Sequence, residues 1–184
     1  MGFLARIGGL RFAVTVLTGM TALQMALIAF GNITDFGTNQ AFVQHVLAMD
    51  TTFKSPDMMW RAITSPALQN AAYVVIIAWE TLTALVLIAA FVAWLRGSPS
   101  GRRLSTLGWV MWVLLFGAGF IAIGGEWFQM WQSDKWNGLQ PALQNFLIAT
   151  VALVIAHLPA VQGASGATSR AHSPGAERGA GESE

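Results

Sequence analysis

The chain has 184 residues, 54% of them hydrophobic and 10% charged, with a formal net charge of +1 and no cysteine. Soluble domains carry about 25% charged residues, so the composition points to a membrane protein. The near-zero net charge implies no general attraction to nucleic acid, and a chain without thiols has no disulfide, iron–sulfur ligation, c-type haem attachment or cysteine nucleophile.

Four runs nearly free of charge, 12–31, 71–94, 106–124 and 141–160, organise the chain. Each approaches the roughly 20 residues that cross a bilayer core. None shows the regularly spaced polar face that a helix of a soluble protein would present. The first run is too long, and too poor in a cleavage site, for a removed signal peptide. It carries Gln24 and the small residues Thr18, Ala22 and Ala26, of a kind that lets membrane helices approach closely.

The loop 32–70 that follows is not linker-like. In "NQAFVQHVLAMD" the apolar Phe42, Val43, Val46, Leu47 and Met49 recur at roughly helical spacing, predicting a short amphipathic helix. "SPDMMWRAI" offers Ser55 as N-cap, Pro56 at the first helical position and Asp57 in the first turn, predicting a second. Ser65 and Pro66 repeat the signal, so the second span starts before it enters the lipid.

Within that span Glu80 is the sharpest single feature. It falls near mid-membrane, where an acid is costly and marks function by default and where burial favours the neutral carboxylic acid. Gln24 is the expected partner, with Thr83 and the Trp112 indole as others. A structural interhelical hydrogen bond is the plain reading, a proton relay or ligand site the sharper one. The third span carries Gly117 and Gly119 and runs into "GGEWFQMWQSDKWNG". Tryptophans gather at membrane interfaces, so Trp127 and Trp131, four apart on one face of a continuing helix, read first as anchors. Anchoring leaves Glu126, Gln129, Gln132, Asp134 and Asn137 unexplained, which suggests a second structured loop at 125–140 packed against the first.

Arg6 and Arg11 precede the first span, and Arg96, Arg102 and Arg103 lie between the second and third, without an acid in either segment. The positive-inside rule then places both termini in the cytoplasm and the loops 32–70 and 125–140 outside. The tail 161–184, rich in Gly, Ala and Ser, is expected to be disordered and cytoplasmic.

Several phrases, "NITDFGTNQAFVQHVLAMDTTF", "MMWRAI", "YVVIIAWE" and "GGEWFQMWQSDKWNG", resemble an uncharacterised bacterial family of predicted small integral membrane proteins, a domain of unknown function. The resemblance covers roughly residues 5–160 and implies a bacterial four-span membrane protein in the inner membrane. It implies no activity, cofactor or catalytic residue.

No nucleophile elbow, phosphate loop, zinc pattern or carboxylate pair is legible. His45, His157 and His172 are the histidines. A bilayer core of about 30 Å separates the first two, so no haem is expected within this chain alone. His45 and Met49, with Asp50, Met58 and Met59 nearby, have the softness of a Cu(I) site, but methionines on amphipathic helices more often pack, and no metal is expected. Asp35, Asp50 and Glu126 can converge on the outer face with Arg61, either as a buried ion pair holding a cap or as part of a pocket with His45, Trp60, Trp127 and Trp131.

The expectation is an all-α polytopic protein: a four-helix membrane bundle over residues 1–160 with a short-helix cap on its outer face. The reading leans away from an enzyme. First comes a non-catalytic accessory or stabilising subunit docking to other subunits of a larger membrane complex, such as a respiratory or redox enzyme. Second comes a stand-alone protein binding a quinone, lipid or other amphiphile in an outer-face pocket. Beyond these, membrane lipids are the expected partners.

Overall fold

A computed structural model describes residues 9–158; the tail, Arg6 and His172 lie outside them. The described residues are all-helical, and four of the helices are long and apolar enough to cross a membrane. Helix α1 runs Leu10–Thr34 and turns at Asp35 into α2, Phe36–Ala48. A loop containing a single 3-10 turn, Met59–Arg61, leads to α3, Pro66–Leu95. Helix α4, Ser100–Val113, continues without a break as a π-helical segment, Leu114–Trp127. A second 3-10 turn, Met130–Gln132, precedes α5, Leu139–Ala156.

Local chemistry sets most of these boundaries. Pro66 occupies the first turn of α3, where its missing N–H is no loss. Gly97, at φ 71°, ends the same helix, with the Gly97 N–H on the Trp94 carbonyl and the Ser98 N–H on the Ala93 carbonyl. Those two bonds make a Schellman motif, which needs a residue free to enter the left-handed region. The helix expected from Ser55 does not form. The Met58 and Met59 N–H groups both fold back to the Ser55 carbonyl, and the Ile63 N–H is then taken by Leu47 of α2. Tying Ile63 to a neighbouring element keeps the chain extended, and Pro66 disfavours helix in the residue before it.

The spanning helices pack in the order α1–α3–α4–α5, and α1 and α5 touch sparingly. At the end that carries Arg11, Arg96, Arg102 and Arg103, the bundle is tight. Gly108 of α4 faces Leu87 of α3 so closely that a Cβ would stand 2.5 Å from Leu87 Cδ2. Thr18 and Ala22 are buried inside this bundle, as is Trp109. Polar groups there are matched across helices: Ser105 Oγ accepts the Trp94 indole N–H at 2.9 Å and pairs with Thr18 Oγ1 at 3.0 Å, and the Trp109 indole donates to Thr21 Oγ1 at 3.0 Å. In lipid such bonds act as glue because water cannot replace them.

The opposite end is built from α2 and the two loops, and we call it the cap. The loops meet: Thr51 Oγ1 donates to Ser133 Oγ at 2.9 Å, and Gln132 Oε1 accepts the Phe53 N–H at 2.9 Å.

A polar cavity at the capped end of the bundle

Asp35 breaks the path of α1 and turns α2 across the top of the bundle. Because α1 and α5 barely touch, the space under α2 is not filled. A cavity of about 570 Å³ lies there, walled by α1, α2, α3, the π segment and the start of α5. Its size falls within the roughly 300–1,000 Å³ of small-molecule sites.

Glu80 stands at the back of the cavity, only 3% exposed. It lies about 22 Å from Leu95 at ~1.5 Å per residue. The Asn32 contact puts the acid level with the last turn of α1, nearer the cap than Gln24.

Asn32, in the last turn of α1, donates to Glu80 Oε2 at 2.7 Å. Asn39 of α2 in turn donates to Asn32 Oδ1 at 2.5 Å, and the Tyr73 hydroxyl reaches the Asn32 carbonyl at 3.5 Å. The relay runs from the exposed rim to the buried acid, and Asn32 is its only hydrogen-bonding contact among the described residues. The second oxygen of Glu80 is left to the cavity.

The expected partners of Glu80 are engaged elsewhere. Gln24 donates to Asn145 Oδ1 at 3.0 Å, bridging α1 to α5 where their backbones stay apart. Thr83 bonds back to the Trp79 carbonyl in its own helix, and the Trp112 indole N–H is buried without a partner. Sequence reasoning missed Asn32, Asn39 and Tyr73. A signal was present for Tyr73, which is seven residues from Glu80, two turns along one face of α3; the turn at Asp35 hid the two asparagines, which stand on different helices.

Aromatic side chains close the cavity on its far side. Phe116 and Phe120 of the π segment have ring centres 5.5 Å apart, and Phe42 of α2 stacks over Phe120 at 6.4 Å. Behind Phe42, Val43, Ile76 and Phe120 lies a second, wholly apolar groove of about 400 Å³. The π-helix positions this wall. Its wider turn puts residues four and five apart on one face, and such segments recur at functional sites. Phe42 also covers Gly138, where a Cβ would come within 2.8 Å of its ring.

The rim of the cavity is exposed from Leu27, inside the apolar part of α1, up to Asp35, Asn39 and Asn137 in the cap. The opening therefore spans the boundary between apolar and polar surroundings.

Residues 10–159 match the family described as predicted small integral membrane protein (DUF2165). The chain belongs to that family. No curated protein and no solved structure matches it. The chain is thus an integral membrane protein of DUF2165, and its cavity has to be read from its own geometry.

In this DUF2165 chain the other expected site residues divide into separate clusters. Asp35 lies on the cavity rim and accepts from Thr38 Oγ1 at 2.8 Å. His45 Nδ1 pairs with Asp50 Oδ2 at 2.7 Å, and its ring stacks on Trp136 at 4.5 Å. No Lys or Arg among the described residues comes as close to a carboxylate. Among them no group of three or more His, Cys, Asp or Glu side chains is placed to hold a metal. His157, at the other end of α5, is held by the Leu153 carbonyl at 2.8 Å.

Arg61 does not pair with Glu126, Asp50 or Asp35. Its guanidinium lies 4.6 Å from the Trp127 ring centre and 5.6 Å from that of Trp60, and reaches the Trp127 carbonyl at 3.4 Å. Two indole faces have taken the place of a carboxylate, while Glu126 is exposed. Trp127 and Trp131 do not share a helical face either. The helix ends at Trp127 and Gln129 enters the left-handed region at φ 57°. Trp127 then meets Trp60 edge-on at 5.5 Å, and Trp131 meets Phe53 at 5.9 Å. Neither cavity described above is lined by His45, Trp60, Glu126, Trp127 or Trp131.

Proposed function

We propose that this protein binds an amphiphile at the capped end of its bundle, taking the polar head against Glu80, Asn32 and Asn39 and leaving the tail toward the lipid. One observation carries the reading: a cavity of ligand size has a buried carboxyl at its back and a mouth running from Leu27 to Asn137 across the apolar–polar boundary. A free aqueous solute would not need an opening below the cap, and a pure hydrocarbon would not need the acid.

This reorders the two expectations drawn from the sequence. The accessory-subunit reading leaned on small-residue helix faces, and Thr18 and Ala22 are used inside the bundle. The structured cap still supports it, and the exposed aromatics Phe53 and Trp60 there suit a docking partner or a membrane interface equally. The arginine end favours the cytoplasmic side of a bacterial inner membrane, which puts the cavity mouth in the outer leaflet. Because the chain has no cysteine, cysteines introduced at Thr38 and Asp134 should react with an impermeant thiol reagent in intact cells, and one at Arg103 should not. The opposite pattern would invert the orientation.

Gly31 lines the mouth, and a Cβ there would meet nothing within 4 Å. Gly31→Trp should therefore obstruct the cavity without disturbing the bundle. In native mass spectrometry of protein extracted in mild detergent, the wild type should carry a stoichiometric small molecule that the variant lacks. Identical adducts on both proteins would remove the binding reading, and comigration with large subunits would favour docking.

A further inference from the structure

The cavity is lined by carboxyl groups and by no basic side chain. Asp35 on the rim and Glu80 at the back are both acids, and no Lys, Arg or His joins them in the wall. An anionic head would meet two carboxyls and no counter-charge, which is the arrangement proteins use to reject a ligand. The rings of Phe42, Tyr73, Phe116 and Phe120 also face this space, and aromatic faces attract cations, most strongly where water is excluded. Glu80 takes one hydrogen bond, from Asn32 to Oε2, so its other oxygen is available to a donor within the cavity.

Resting on the amphiphile-binding reading above, we propose that the cavity selects an amphiphile whose head is an ammonium cation and whose only charge is positive. The head lies against Glu80 Oε1 and the aromatic wall, and Asp35 adds attraction at the entrance. The Asn39–Asn32 relay holds Oε2 and so fixes the carboxyl plane, directing Oε1 at the head. An ammonium beside the carboxylate supplies the counter-charge that a buried carboxylate otherwise lacks. The volume of about 570 Å³ far exceeds a bare ammonium or metal ion and suits a head with the first part of its tail. The tail leaves past Leu27, which is 60% exposed on the lipid-facing side of α1.

The test uses the full chain in phosphatidylcholine nanodiscs and three probes with the same twelve-carbon tail: dodecylammonium, dodecanol and dodecyl sulfate. Binding of each labelled probe is measured above that of empty nanodiscs. The expected result is saturable binding of dodecylammonium at least tenfold tighter than dodecanol, with dodecyl sulfate weakest. Glu80→Gln should erase the preference for ammonium over alcohol, with Asp35→Asn lowering ammonium affinity only severalfold. Equal saturable binding of dodecylammonium and dodecanol would overturn cation selection and leave amphiphile binding standing. Preference retained in Glu80→Gln and lost in Asp35→Asn would overturn the role given to Glu80. No saturable binding of any probe would defeat both readings. Thermal unfolding of each variant in the same nanodiscs shows whether a loss of binding is a loss of fold; should Glu80→Gln unfold, retained preference in Tyr73→Leu and Phe116→Leu together would overturn the proposed site.

Discussion

The two ends of the bundle solve the same problem in opposite ways. At the arginine end, small residues bring the helices together, and every polar group named there finds a partner across the interface: Thr18 with Ser105, Trp94 with Ser105, Trp109 with Thr21. At the capped end, Phe42, Phe116 and Phe120 line a cavity, α1 and α5 are bridged by the Gln24–Asn145 side-chain bond, and a carboxyl oxygen faces open space. A membrane protein gains stability from close packing and matched hydrogen bonds. An end that leaves a cavity beside a carboxyl oxygen with no hydrogen bond from the described residues is shaped for something other than stability.

The sharpest way to break that contrast is at its glycines. A Cβ on Gly108 would collide with Leu87, whereas one on Gly31 would meet open space. Gly108→Leu must drive α3 and α4 apart, and overpacking of this kind costs about 3 kcal/mol or more. Gly31→Leu should leave stability within about 0.5 kcal/mol. Reversible unfolding in mixed micelles gives both values; comparable losses would mean that the two ends are packed alike.

Glu80 provides the second test. Glu80→Leu removes the acceptor of the Asn32 amide and strands a buried donor, a loss on the order of 1–2 kcal/mol in membrane helices. Glu80→Gln retains an acceptor for Asn32 and should be nearly as stable as the wild type. Should Glu80→Leu prove as stable as wild type, water or lipid already satisfies Asn32, and the relay does not hold the cavity in shape.

Legibility in the sequence follows the same division. The spans were readable because hydrocarbon imposes a length and a composition on any helix that crosses it, and α1, α3, α4 with its π extension, and α5 fall on the four runs. Glu80 stood out because an acid is conspicuous in such a run. What surrounds it was hidden. Depth counted from residue 71 pairs Glu80 with Gln24; the helix stands higher beside α2, so Asn32 replaces Gln24. The π segment has no simple sequence signature, and with it went the aromatic wall. In the cap, sign alone pairs Arg61 with a carboxylate, but guanidinium groups also stack on indoles.

Arg61 marks the smallest expected effect. A buried ion pair would have made Arg61→Ala cost about 3–5 kcal/mol by leaving a carboxylate stranded. The structure contains no such carboxylate. The guanidinium lies over Trp127 and Trp60 and reaches the Trp127 carbonyl at a long 3.4 Å, and stacking of a partly exposed cation contributes about 0.5–1 kcal/mol. Its Nε is buried without a partner, so deletion also removes an unsatisfied donor and offsets part of the loss. Arg61→Ala should therefore weaken the cap by no more than about 1 kcal/mol. Trp127→Ala, which removes the ring under Arg61 and the edge contact with Trp60 together, should loosen the loop more. Limited proteolysis between Asp50 and Ser65 reads the difference: faster cleavage in Trp127→Ala than in Arg61→Ala is the expected order, and the reverse would return the arginine to the centre of an electrostatic cap.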